Sequence, residues 1–496
     1  MDSDPEYEDG QLMKHIYKLP PLLGWMGVML ILGPVLQFVP SISWQDGPVA
    51  NAMAWHDRQR IEQVVLLMVG AVSLASIWRM RQMEILNRLP RTSLLLLILG
   101  FSLGALSAGF SDFIRYAWLE WSTSLLLVSL SLLLAWEAHA DQIGFDRWAV
   151  RLLILVMVVI SIRVLMGYMA AMLEGLRVDS VKLFTGVFSN RRVFGQVASM
   201  AIPLLAYPLL SNADWKPWQR VMLLGLLSVW WMLAIASGTR GTWMAIGVAS
   251  VVLLMVAWRH AWPWVRIQLV ALMFGLILYG LLFVLLPDRF YPDALVENRL
   301  GNLTDLAGRG AIWSMSLMQI QTHPWLGIGP MHMAAVLGHV ASHPHNLLLQ
   351  LCAEWGIPAA LALLIPMLWG VARLLLWLRR GSDPLLVSVT AALLAAGAQA
   401  MVDGVFVMPY TQLWLILVAG WAIGIHMRKV DALRGRPVMA MTIKPWLISL
   451  VMVASLALML WGVFPEILHR VEYTKAYLDA GHDAIPPRFW MVGPIP

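Results

Sequence analysis

Long apolar runs recur along the chain, separated by short polar intervals. They cover 20–40, 61–78, 93–110, 118–135, 152–173, 194–210, 221–238, 242–257, 267–286, 357–378, 385–402, 411–427 and 445–464. Runs near 20 residues are what a helix needs to cross the hydrocarbon of a bilayer. The pattern predicts an all-α polytopic membrane protein with about 13 transmembrane helices. One polar interval, 287–345, is far longer than the rest. The predicted organisation is a cytoplasmic tail (1–19), helices one to nine (20–286), a long outer loop with short helices (287–345), helices ten to thirteen (346–464) and an outer tail (465–496). No internal repeat is strong enough to use.

The long loop ends in SHPHNLLLQLCAEWGI, residues 342–357. Pro344 drives His343 toward extended backbone, so a helix is predicted to begin near His345 or Asn346. From there Asn346, Gln350 and Glu354 recur every fourth residue and form one polar stripe, while leucines cover the other faces. A stripe headed by a histidine is predicted to face a wet or protein-lined cavity and not lipid. The alternative is a helix start at the interface whose polar groups serve only as caps.

Composition agrees with the pattern. Of 496 residues, 59% are hydrophobic and 13% charged, with 26 tryptophans and 31 methionines. This belongs to a membrane protein, not to a soluble or nucleic-acid-binding domain. The one cysteine, Cys352, excludes an internal disulfide and a cysteine metal cluster. The N-terminal tail carries Asp2, Asp4, Glu6, Glu8 and Asp9, and so lacks the basic start of a cleaved signal peptide. With that tail in the cytoplasm, most Lys and Arg fall on the cytoplasmic side.

The opposite side nevertheless carries its own arginines. Arg191 and Arg192 end FSNRRVFG, Arg240 sits in the tight turn SGTRGTW, and Arg289, Arg299 and Arg309 lie in the long loop. All meet the same face as His345. Guanidinium groups are permanently charged forks suited to phosphate oxygens, so several at one mouth suggest a diphosphate site. Each alone also reads as an interfacial anchor. Glycines flank Arg240 and Arg309 and let a ligand approach the backbone. Residues 308–330 contain an amphipathic segment with Ile312, Met315, Leu317, Met318 and Ile320, predicted to lie on the membrane surface. In MVDGVFVMPYTQLW (401–414), Gly and Pro suggest a broken or re-entrant turn, with Asp403 placed to orient a histidine or an arginine, or simply to end a helix. The tail after Pro465 reads as a short helix and a Pro-rich stretch packing over the mouth. No HExxH spacing, P-loop or GxGxxG occurs, so neither a metal site nor a nucleotide cofactor is predicted.

Taken in order, FSNRRVFGQVASMAIPLL, SGTRGTWMAIGVA, GRGAIWSMSLMQIQTHPWLGIGP and HPHNLLLQLCAEWGIP resemble the O-antigen ligase and polymerase superfamily of bacterial envelope glycosyltransferases, which includes protein O-oligosaccharyltransferases. The likeness covers roughly residues 185–365. It implies an inner-membrane enzyme, independent of metal and cofactor, that works at the periplasmic face. The donor it implies is an undecaprenyl-diphosphate-linked glycan; the acceptor is lipid A core, another glycan or a protein hydroxyl. The motif histidine corresponds to His345; the polar stripe and the break read above add His343, Asn346, Gln350, Glu354 and Asp403 as supporting residues. The motif arginines correspond to Arg191 or Arg192, Arg240 and Arg309. The family's asparagine-rich segment reads NRR here, so the choice between Arg191 and Arg192 stays open. The expected reaction is inverting glycosyl transfer with His345 as general base. A lipid-linked glycan transporter is the rival reading; it predicts polar residues spread through the membrane depth and two related halves.

Overall fold

A computed structural model of the chain describes residues 19–35, 48–77, 89–174, 183–184, 187–188, 190–211, 215–287, 309–338, 340–381, 383–434, 445–467, 469, 472, 479 and 488–490. These residues are almost entirely helical. In chain order the helices are α1 (Pro21–Val35), α2 (Pro48–Ile77), α3 (Arg91–Gly109), α4 (Ile114–Ala140), α5 (Gln142–Leu173), α6 (Arg191–Leu210), α7 (Pro217–Ala236) and α8 (Arg240–Tyr279). They continue with α9 (Arg309–Thr322), α10 (Met333–Leu337), α11 (Leu347–Trp355), α12 (Ile357–Leu378), α13 (Pro384–Ala400), α14 (Pro409–Arg434) and α15 (Pro445–Ile467). Among the described residues, nine helices are long and apolar enough to cross a membrane, and α1 and α13 are shorter apolar helices. The protein is an all-α, multi-pass membrane protein. Among the described residues, the apolar runs fall on helices, two of them on the same one.

Two of those runs, 242–257 and 267–286, share α8 and its π-helical extension Gly280–Leu285. A straight helix of this length would reach ~69 Å, more than twice the ~30 Å of hydrocarbon. The side chains show that it folds back. Thr242 Oγ1 donates to the Gly195 carbonyl at 2.9 Å, whereas Trp264 Nε1 and Gln268 Nε2 donate to Pro203 and Ile202 at 3.1 Å. Gly195 and Pro203 lie about 12 Å apart along α6, but Thr242 and Trp264 would be about 33 Å apart on a straight rod. The bend is at Ala257, whose φ of −144° and ψ of 48° are not helical. The two runs are therefore the legs of a hairpin.

The core is built from α4, α6, α13 and α14, and α6 is buried along most of its length. One end of the bundle is closed by charge pairs. Arg428 meets Asp146 at 2.7 Å, His139 meets Asp431 at 2.7 Å and Lys429 meets Asp383 at 2.9 Å. At the same end, Glu137 accepts from the backbone of Leu22 and Leu23 at 2.8 and 3.0 Å. Those amides belong to the first turn of α1, whose orphan donors and positive dipole end suit a carboxylate. The other end carries Arg191, Arg192, Arg240, Arg309 and the histidines.

Candidate functional site

The polar stripe of the sequence becomes a short inserted helix. Asn346 caps α11, its side-chain oxygen accepting from Leu349 N at 3.1 Å while its amide donates to the Met401 carbonyl at 3.0 Å. After Trp355 the backbone turns at Gly356 (φ 83°), so α11 and α12 are separate helices. The turn-rich segment 323–330 wraps this break. Ile328 N and Gly329 N donate to the carbonyls of Ala353 and Glu354, each at 2.9 Å, and satisfy groups that the end of α11 leaves open. A side chain at Gly327 (φ 70°) would collide with the Glu354 backbone, and one at Gly356 with the Trp325 carbonyl.

The stripe faces protein, as predicted. Glu354 is fully buried; its Oε1 accepts from Met333 N at 3.1 Å and its Oε2 pairs with Arg488 at 2.6 Å. With its amide oxygen turned inward, Gln350 accepts from the same guanidinium at 3.0 and 3.2 Å. The amphipathic segment is α9. Its Ile312 is buried against α10 and α11, while Leu317 and Met318 stay exposed. Trp313 Nε1 donates to the Pro344 carbonyl at 3.0 Å and ties α9 to the histidine segment.

His345 sits just ahead of α11 with φ of 54°, a left-handed conformation that costs energy in a residue with a side chain. Its Nδ1 is buried, has no hydrogen-bond partner, and stands 3.9 Å from Asp403 Oδ1. Asp403 lies in the non-helical stretch between α13 and α14, where its Oδ1 accepts from Gly404 N at 2.8 Å. The break predicted from MVDGVFVMPY is thus present and carries the carboxylate to the histidine. His343 packs edge-on against His345, with ring centroids 4.1 Å apart. It is buried, its Nδ1 shares a 3.2 Å hydrogen bond with Ser342, and its Nε2 lies against Gly404.

The arginines gather here too. Burial pushes the His345 imidazole down to about 4; Asp403 opposes the shift, and Arg192 and Arg309 deepen it. Burial likewise lowers Arg309, which Arg192 and Arg240 repel and Asp403 attracts. The structure therefore brings Arg192, Arg240, Arg309, Asp403, His343 and His345 into one electrostatic neighbourhood. Arg191, one residue before Arg192, instead places a buried Nη1 near Gly238 with no hydrogen-bond partner. Arg289 and Arg299 lie outside the described residues. Among the described residues, no group of three His, Cys, Asp or Glu side chains is placed to hold a metal ion.

Residues 223–364 match the family model described as O-antigen ligase. Over that stretch, under a third of the chain, the match supports the O-antigen ligase and polymerase superfamily, whose members are membrane glycosyltransferases. No curated protein matches the chain. The O-antigen ligase domain runs from α7 through the α8 hairpin, the Arg309 helix and the His345 segment into α12. Arg240, Arg309, His343, His345, Asn346, Gln350 and Glu354 lie inside it; Arg191, Arg192 and Asp403 lie outside and are brought to it by the fold.

Several residues around the O-antigen ligase domain were not legible in the sequence. Arg488, 1% exposed, touches Glu354, Glu120 and the Ser342 carbonyl at 2.6, 3.2 and 3.3 Å. Arg60 holds the backbone beside it, donating to the carbonyls of Phe489 and Arg488 at 2.8 and 3.0 Å. His332 reads in sequence as one more loop histidine, but is buried. Its Nε2 accepts from Phe113 N at 2.9 Å, so its Nδ1–H donates to the Pro330 carbonyl at 2.9 Å. Both ring nitrogens are engaged, which makes His332 a packing residue.

Proposed function

We propose that this protein transfers a glycan from undecaprenyl diphosphate to an acceptor hydroxyl, with lipid A core as the acceptor, at the periplasmic face of the inner membrane. The carrying observation is His345. It is strained at positive φ, backed by Asp403, and set among Arg192, Arg240 and Arg309 at one end of the bundle. Asp403 faces Nδ1, so the opposite ring nitrogen, Nε2, is directed away from the carboxylate and is the basic atom. The acceptor hydroxyl gives its proton to Nε2 and its oxygen attacks the anomeric carbon. The bond from that carbon to the diphosphate oxygen breaks on the opposite face, and configuration inverts. The arginines take up the charge that develops on the leaving diphosphate.

The low pKa of His345 fits this sequence of events. Burial, deepened by the charges of Arg192 and Arg309, holds the imidazole neutral while the site awaits donor. A bound diphosphate neutralises those charges and lifts the imidazole back toward its ordinary range, where a base is most effective near neutral pH. Ion pairs at the far end and arginines gathered at one end support an enzyme with a single interfacial site over a transporter with polar residues along a path.

The test is transfer in proteoliposomes with undecaprenyl-diphosphate glycan as donor, and lipid A core and a pilin-like protein offered separately. His345-dependent transfer to lipid A core establishes the ligase. Transfer to protein reassigns the chain as an O-oligosaccharyltransferase, and growth on donor alone makes it a polymerase. Donor crossing the bilayer without transfer overturns the enzymatic reading.

A further inference from the structure

The segment Arg488–Trp490 follows α15 in the chain yet is buried in the site end of the bundle. Phe489 and Trp490 are each 3% exposed, and the Arg60 guanidinium lies 4.4 Å over the Phe489 ring. His56 and Arg60, on α2, both reach the Phe489 carbonyl, at 3.2 and 2.8 Å. The anchored backbone projects one side chain, Arg488, between α4 and α11. There it meets Glu120 of α4, Gln350 and Glu354 of α11, and the carbonyl of Ser342. Ser342 is the residue immediately before His343 and three before His345. A planar fork can serve these acceptors together; a single ammonium cannot.

We propose that Arg488 is a positioning residue for the histidine segment 342–346. This rests on the reading of His345 as the base. The segment is held from three sides. Trp313 fixes the Pro344 carbonyl, Asn346 fixes Met401 beside Asp403, and Arg488 fixes the Ser342 carbonyl. His345 keeps a left-handed backbone only while its neighbours over-determine it. Without the Ser342 contact, the segment relaxes and the imidazole leaves its place opposite Asp403. A displacement of about 1 Å at a reacting group costs about 100-fold in rate. Glu354 has a separate need for Arg488, because a fully buried carboxylate is unstable without a partner. The two roles can be separated by substitution.

The experiment compares wild type, H345A, R488M, R488K and R488M/E354Q, each purified and tested for thermal melting and for steady-state transfer. R488M lowers the melting temperature through stranded Glu354, and E354Q in the same chain restores it. The expected result is a kcat in R488M/E354Q and in R488K at least tenfold below wild type, with KM for donor within about twofold and melting near wild type. Wild-type kcat in either of those folded variants overturns the positioning role while leaving the base assignment intact. Loss of transfer in H345A with none in R488K has the same meaning. Absence of transfer by wild type itself fails the functional reading instead, and is distinguished by that control.

Discussion

Asp403 Oδ1 stands 3.9 Å from His345 Nδ1, a distance that joins the break before α14 to the residue ahead of α11. It is slightly longer than a hydrogen bond, as catalytic contacts are before substrate binds. The pair defines which ring nitrogen is free to take a proton. His345→Ala is expected to lower kcat by roughly 10²–10⁴-fold, the worth of general-base assistance. Asp403→Asn is expected to fall short of that but to remain well below wild type, since it frees the ring to choose the wrong tautomer. Both variants should insert and fold. Turnover assays on melting-matched samples check this, and normal rates in H345A would remove the base assignment.

The pH dependence has a defined sign. Burial and two arginines hold the free-enzyme His345 at about 4. A depressed histidine stays neutral as pH falls, so the acid limb of kcat/KM should lie well below the ordinary histidine value of about 6.5. Arg309→Ala removes a charge that depresses the imidazole, and the limb should move upward. In kcat, which reports the donor-bound state, the limb should lie higher than in kcat/KM. A pH series on wild type and R309A separates these outcomes.

The arginines should divide by position. Arg192→Ala, Arg240→Ala and Arg309→Ala are expected to weaken donor use more than the corresponding Lys variants, which keep charge but lose the planar fork. Arg191→Ala should have the smaller effect of the adjacent pair, because only Arg192 is coupled electrostatically to His345 and Arg309. Initial rates against donor concentration, at fixed acceptor, check the ranking.

Gly404 has its own prediction. A Cβ there would lie 2.4 Å from Nε2 of the buried His343, whose ring packs against His345 at 4.1 Å between centroids. Gly404→Ala is expected to cost about 1–3 kcal/mol, as overpacking does, and to impair turnover beyond the loss of stability. Melting curves and rates on the same preparation distinguish the two.

Much of the site was readable because its signals are local. The stripe Asn346, Gln350, Glu354 follows from helical period, and the break around Asp403 from Gly and Pro. What stayed hidden depends on contacts between distant parts of the chain. Arg488 meets Glu354 across 134 residues and Glu120 across 368, and no periodicity marks such pairs. Adjacent arginines look alike in sequence, yet on a helix they point about 100° apart, which is why Arg192 and Arg191 differ. The runs 242–257 and 267–286 read as separate crossings, so the reversal between them was legible; only its place at Ala257, within one otherwise continuous helix, was not.

The route of Arg488 into the bundle also orders the birth of the protein in time. Glu120 and Glu354 are synthesised and inserted long before the ribosome reaches residue 488. Until α15 has crossed and the residues after it have docked, both carboxylates wait without their shared cation. The nascent chain thus carries every group assigned to donor binding before the brace proposed for the histidine segment has been made.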